Sequence, residues 1–188
     1  MPKHVVIIHG WDASPEANWF QWLRRELEAA GIHVSVPAMP DAAVPDINRW
    51  IQTIKEVVPE VNEQVFFVGH SLGCITIAHF LQALPESQKA GGCVFVAGFS
   101  GNIHNPATCA FYQKPLDVEL IKEHGGSLTA IFSEDDPVVP LKKAREFGVL
   151  LGAKLIVVQN MGHFVGSRGV TQLPLVLTEL KTLMTRFK

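Results

Sequence analysis

The clearest chemistry in this sequence lies in five residues, Gly69-His70-Ser71-Leu72-Gly73. The pattern is G-x-S-x-G, and a β-branched apolar run, Val65-Phe66-Phe67-Val68, precedes it. A largely apolar segment, Ile75 to Leu84, follows. Strand before and helix after is the setting in which this motif presents a serine on a sharp turn, with its hydroxyl lifted toward substrate. The flanking glycines leave room for the turn and for close helix-on-strand packing. The plainer alternative is a serine that caps a helix between two turn glycines. The partners needed for nucleophilic chemistry decide between the two.

A serine hydroxyl needs a base, and the base needs a third group to hold its tautomer. After a strand–serine–helix turn the expected chain order is serine, acid, histidine. Of eight histidines, His163 in Asn160-Met161-Gly162-His163-Phe164 follows the last apolar strand, and Gly162 permits a tight turn. His70 neighbours the serine, should point away from it and reads as a structural hydrogen-bonder. His79 falls inside a helical stretch, and His104 lies in an irregular one. The acid should end the strand before, where Ser133-Glu134-Asp135-Asp136-Pro137-Val138-Val139-Pro140 offers three carboxylates in a row. A solvated turn would look the same, and from these residues alone Asp135 and Asp136 stay open.

Acyl transfer also needs two N–H donors for the oxyanion, one after the nucleophile and one from the loop after the first strand. Leu72 supplies the first. His9-Gly10-Trp11 forms that loop, and the backbone N–H of Trp11 is the expected second donor, with its indole walling the pocket.

These groups need a scaffold that brings residues 11, 71, 136 and 163 together. Six short apolar runs read as strands: Val5–Ile8, Ile32–Val36, Val65–Val68, Val94–Ala97, Leu128–Phe132 and Leu155–Val158. Helical spacing appears over residues 17–29, 46–57 with Asp46 as N-cap, 75–84, 116–124, 141–151 and Leu173–Phe187. Strands apolar on both faces require helices on both sides of a mostly parallel sheet. The expectation is one domain over residues 1–188, an α/β-hydrolase fold with a six-stranded sheet. Sites in such sheets collect beyond the carboxyl ends of the strands. The chain has no spare length for a large cap. Only Gly98 to Pro115 lacks a clean period, so Phe99, Phe111 and Tyr112 are expected to form a short pocket rim beside Trp11.

At this point the sequence resembles the retinoblastoma-binding-protein-9 and YdeN group of compact serine hydrolases, over essentially its whole length. The resemblance rests on His9-Gly10-Trp11, Ala13-Ser14-Pro15, Asn18-Trp19-Phe20 and Trp22-Leu23, taken in order. It extends through Val36-Pro37-Ala38-Met39-Pro40, the G-x-S-x-G motif, the acid loop and Gly162-His163-Phe164. The wider superfamily's G-x-x-D-x-x-V-P pattern in the acid loop selects Asp136, with Ser133 standing where the glycine is usual. The resemblance implies a Ser71–His163–Asp136 triad and esterase-like activity. It says little about substrate. The group's namesake also has a protein-binding role, which nothing in these residues indicates.

Composition narrows the field. A net charge of −2 with scattered Lys and Arg offers no basic surface for nucleic acid. No apolar run reaches membrane-span length, and residues 1–10 lack a signal-peptide pattern. Cys74, Cys93 and Cys109 match no metal-site spacing and cannot all pair, so reduced thiols and a cytoplasmic location are expected. No cofactor or metal is implied. The leading expectation is hydrolysis of small carboxylic esters through an acyl-enzyme. An amidase or peptidase using the same groups and a binding module on a hydrolase scaffold are the alternatives.

Overall fold

The computed structural model describes residues 2–186. Its centre is a six-stranded sheet in the order β2-β1-β3-β4-β5-β6, parallel throughout. The strands are β1 (His4–Ile8), β2 (His33–Ser35), β3 (Val65–His70), β4 (Gly92–Val96), β5 (Ser127–Ser133) and β6 (Lys154–Val158). The helices are α1 (Phe20–Glu28), α2 (Ile47–Val57), α3 (Leu72–Leu81), α4 (Ala110–Gln113), α5 (Val118–Gly125), α6 (Leu141–Leu150) and α7 (Pro174–Met184). The expected last helix reached Phe187, a residue outside those described.

Side chains on one strand alternate between faces, and here both faces are covered. Val5, Ile7, Phe66, Val68, Val94 and Val96 pack against α1 and α7 through Phe20, Leu23, Val176 and Leu180. Val6, Ile8, Phe67, Cys93 and Phe95 face the opposite layer, where α2, α3, α5 and α6 contribute Trp50, Ile77, Ile121 and Phe147. Helix α3 is buried along its whole length, which is why its sequence is apolar all round rather than striped. Asp46 caps α2 as its position suggests, accepting the Arg49 N–H at 2.9 Å. Cys74 and Cys93 are core residues whose thiols burial pushes well up; Cys109 is half-buried, and none is bridged. Among the described residues no helix is long and apolar enough to cross a membrane.

Two boundaries differ from expectation in a way that matters for the site. Strand β3 continues through Gly69 and His70, because both still pair with β4 as Gly69↔Phe95 and His70↔Val96. Helix α3 starts at Leu72, so Ser71 is the single residue between strand and helix. The irregular stretch also holds more structure than expected, a 3₁₀ turn at Pro106–Thr108 followed by α4.

Candidate active site

Ser71 has φ 53° and ψ −120°, a strained conformation for a residue with a side chain. The glycines around it answer to close approach. A Cβ at Gly73 would lie 2.2 Å from the Ile8 carbonyl oxygen, and one at Gly69 2.8–2.9 Å from the Cys74 backbone. The Ser71 N–H is tied to the Val96 carbonyl at 2.9 Å, fixing the turn to β4. The side chain makes no capping bond to α3. Its Oγ lies instead 2.9 Å from His163 Nε2, across a sequence separation of 92 residues.

His163 follows β6. Its Nδ1 is 2.8 Å from Asp136 Oδ2, and the Asp136 side chain is 3% exposed. Asp136 Oδ1 accepts the N–H groups of Val138 and Val139 at 2.8 and 2.9 Å. These bonds orient the carboxylate, leaving Oδ2 for the imidazole N–H. Asp135 is exposed and does not touch His163. Its Oδ1 accepts the Ser133 hydroxyl at 2.5 Å and the Gly162 N–H at 3.2 Å, and those bonds, the hydroxyl first, hold its carboxyl below the usual range. Ser133 Oγ in turn accepts the Met161 N–H at 3.1 Å. The hydroxyl at the usual glycine position thus joins the acid turn to the histidine loop.

The loop after β1 passes directly over Ser71, where a Cβ at Gly10 would come within 2.9 Å of Ser71 Cβ. Leu72 is the first residue of α3, where helix N–H groups lack intrahelical partners. Among the described residues neither the Leu72 N–H nor the Trp11 N–H has an acceptor. The Trp11 indole N–H donates to the Ala43 carbonyl at 2.9 Å, which holds the ring at the mouth of the site.

A cavity of about 320 Å³ opens onto Ser71 and His163, walled by Trp11, Phe99, Ile103 and Val138 among others. Of the expected rim residues, Trp11 and Phe99 line it; Phe111 and Tyr112 do not. Phe111 is fully buried with its ring against Trp50 at 5.6 Å, because α4 turns it into the core. Tyr112 stands behind Phe99, rings 5.6 Å apart, and donates its hydroxyl to Thr108 Oγ1 at 2.8 Å. His104 is exposed and stands outside the cavity lining. Asp12 is the only acidic or basic side chain on the lining besides the two histidines, and no Lys or Arg is present among the described lining residues.

Of the remaining buried histidines, His124 bonds the Gln88 carbonyl through Nδ1 at 2.6 Å, and three others, His9, His70 and His79, are also tied to backbone groups. His79 donates from Nε2 to the Phe111 carbonyl at 2.9 Å. His9 donates from Nδ1 to the Gly10 carbonyl at 2.8 Å and accepts the Met39 N–H on Nε2 at 3.0 Å. His70 donates from Nε2 to the carbonyl of His163 at 2.9 Å, a link between residues 93 apart that no local pattern announces. Burial lowers the pKa of all three, that of His70 to about 3, with the neighbouring His163 ring as the second cause.

This has a consequence for acid stability. The folded protein keeps His70 neutral, while the unfolded chain takes up its proton below the ordinary value of 6.5. Stability from this residue is therefore complete above that pH and is lost as pH falls toward about 3. At about 1.4 kcal/mol per pH unit, His70 alone accounts for roughly 2 kcal/mol lost by pH 5. Urea midpoints should fall steadily between pH 7 and 5, before most carboxylates titrate. A midpoint constant over that range would contradict neutral burial of these imidazoles.

A serine on a strained strand-to-helix turn, hydrogen-bonded to a histidine from the carboxyl end of a parallel sheet, defines the α/β-hydrolase class. Comparison with known proteins narrows this. The family model described as serine hydrolase matches residues 5–182. YdeN of Bacillus subtilis (strain 168) is 33% identical over 187 residues, covering 99% of this chain and 98% of its own. The crystal structure of that gene product superposes with a TM-score of 0.94, covering 97% and 99% of the two chains. Serine hydrolase RBBP9 of Rattus norvegicus is 26% identical over 168 residues, covering 87% and 88%. Est1E from Butyrivibrio proteoclasticus, at 13% identity and a TM-score of 0.73 over 98% and 88% of the two chains, shares the fold. The chain belongs to the serine hydrolase family and is an enzyme of that class.

Proposed function

We propose that this protein is a carboxylesterase for small neutral esters, working through an acyl-enzyme on Ser71. The observation that carries the reading is the unbroken path from Ser71 Oγ through His163 to Asp136, with bonds of 2.9 and 2.8 Å, beside an apolar cavity. His163 Nε2 takes the proton as Ser71 Oγ attacks the ester carbonyl. The Trp11 and Leu72 N–H groups receive the oxyanion. The tetrahedral intermediate collapses as His163 protonates the leaving alcohol. Water, deprotonated by the same nitrogen, then releases the acid and regenerates the serine. Asp136 holds the imidazole tautomer through its bond to Nδ1. No step calls for a cofactor or metal.

The lining supports this substrate class. Among the described lining residues no Lys or Arg stands beside Ser71 to pair with a carboxylate or phosphate, and Asp12 would repel either. Trp11, Phe99, Ile103 and Val138 favour a short apolar acyl group, each buried methylene contributing about 0.8 kcal/mol. An amidase would use the same groups, and a pure binding module would not require an intact proton path. A single domain spanning residues 1–188 belongs to this reading. So does a cytoplasmic location, which three unbridged thiols favour.

A series of p-nitrophenyl esters from acetyl to palmitoyl, measured below their aggregation limits, tests the reading. Turnover should peak at short acyl length, and Phe99→Ala should move the optimum longer. Phe111→Ala should leave the optimum in place, since that ring is in the core. A rate rising to the longest soluble ester would sink the short-acyl proposal. No turnover of any ester would sink the esterase itself.

A further inference from the structure

The segment carrying His163 has little regular structure, and three of its residues, Asn160, Gly162 and Phe164, have φ between 51° and 59°. Asparagine tolerates this region, but phenylalanine pays steric strain there. A backbone turn from the Phe164 N–H to the Met161 carbonyl at 3.0 Å closes around His163, and side chains from elsewhere fix that turn against the sheet. Asp135 and Ser133 accept the Gly162 and Met161 N–H groups, as described above. Trp19 Nε1–H donates to the Phe164 carbonyl at 3.2 Å, and Asn18 Oδ1 accepts the Gly166 N–H at 2.8 Å. Between these supports, His70 donates to the carbonyl of His163 itself at 2.9 Å.

His70 is also a poor choice on stability alone. Donation from Nε2 leaves Nδ1 as a bare acceptor, and Nδ1 is buried with no hydrogen-bond partner among the described residues. An unpaired buried polar atom is destabilising. The ring packs against Trp19 and Phe20 at 6.1 and 5.8 Å between centroids and against the His163 ring at 5.1 Å, contacts that an apolar side chain could also make. The feature an apolar side chain lacks is the N–H on the His163 carbonyl.

We propose that His70 is a positioning residue, whose N–H holds the backbone of His163 so that the imidazole meets Ser71 and Asp136 together. The proposal rests on the reading of Ser71 and His163 as nucleophile and base. His70 lines the cavity and its ring lies 5.1 Å from that of His163, but among the described residues it makes no hydrogen bond to Ser71 Oγ or to the His163 ring nitrogens. It acts through the segment, by removing freedom that would otherwise let Nε2 drift from Ser71 Oγ.

The test compares His70→Gln with His70→Met in the full-length protein. The two side chains are similar in length, and only glutamine carries an N–H that can reach the carbonyl. H70M should lower kcat for a short p-nitrophenyl ester by roughly 10–100-fold, the scale of a small misplacement of reacting groups. Its KM should stay near the wild-type value, and H70Q should recover most of the loss. The low-field proton NMR signal of the His163–Asp136 hydrogen bond should broaden in H70M and persist in H70Q. If H70M does not fold, His70→Phe supplies the donor-free side chain. Equal kcat and equal NMR signals for the glutamine and donor-free variants would overturn the proposal. Ser71→Ala, run alongside, separates the two ideas: ester turnover surviving in that variant would remove the nucleophile assignment, not the role of His70.

Discussion

Ser71→Ala should lower ester turnover by about 10⁵-fold or more, the scale on which loss of the nucleophile of such a triad acts. The Ser71 side chain makes no capping bond to α3, so removing Oγ deletes only its link to His163. Alanine keeps the Cβ, and the strained turn is unchanged in kind. The fold should therefore persist, with thermal unfolding close to wild type. Among the described residues no other hydroxyl lining the cavity is bonded to an imidazole that could activate it. Thr108 donates to the Asn105 carbonyl and accepts from Tyr112. Ser167 has no imidazole bonded to it among the described residues. His163→Ala should cost a comparable factor, and the double variant little more, because nucleophile and base act as one unit. A fluorophosphonate probe should add its mass to the peptide containing Ser71 in the native protein and to no peptide in Ser71→Ala. Full turnover by a folded Ser71→Ala protein would remove Ser71 from the mechanism.

Much of this was legible because it is local. The six strands read as short β-branched runs, since a strand covered on both faces needs apolar residues at every position. The serine turn read from its glycines and its flanking elements. The boundaries around it were less legible for a specific reason. Glycine usually punctuates, yet Gly69 and Gly73 lie within β3 and α3, where backbone from Cys74 and Ile8 excludes a side chain. No sequence pattern near either glycine carries that contact.

What depended on distant contacts was the least legible. Phe111 and Phe99 look alike in an irregular stretch; one faces Trp50 in the core and the other lines the cavity. His70 read as a structural hydrogen-bonder, and it is one. That its acceptor is the backbone of His163 follows only from the parallel sheet setting the ends of β3 and β6 on the same side. Asn18 and Trp19 stood out as part of a family pattern, while their hydrogen bonds to residues 164 and 166 give that pattern a physical function.

Asp136→Asn should be nearly as damaging as loss of the serine, and Asp135→Asn far milder. Asn at 136 keeps the shape of the carboxylate. Its carbonyl oxygen would stay on the Val138 and Val139 N–H groups, which only an acceptor can satisfy. The amide NH₂ must then face His163 Nδ1. A donor there forces the imidazole proton onto Nε2, the atom that has to receive the proton of Ser71. The same acid-to-amide change in a serine protease lowers turnover about 10⁴-fold through this wrong tautomer, and a loss of that order is expected here. At 135 an amide oxygen can still accept the Gly162 N–H, and the residue is exposed and makes no bond to His163. Its bond to Ser133 would weaken, loosening the loop, for a loss within about 10-fold. The two variants should be compared by burst kinetics with a short p-nitrophenyl ester, which isolates acylation. Equal, mild effects would mean that the acid is shared between neighbours. A severe Asp135→Asn with a mild Asp136→Asn would move the acid by one residue, against the 2.8 Å bond to Asp136.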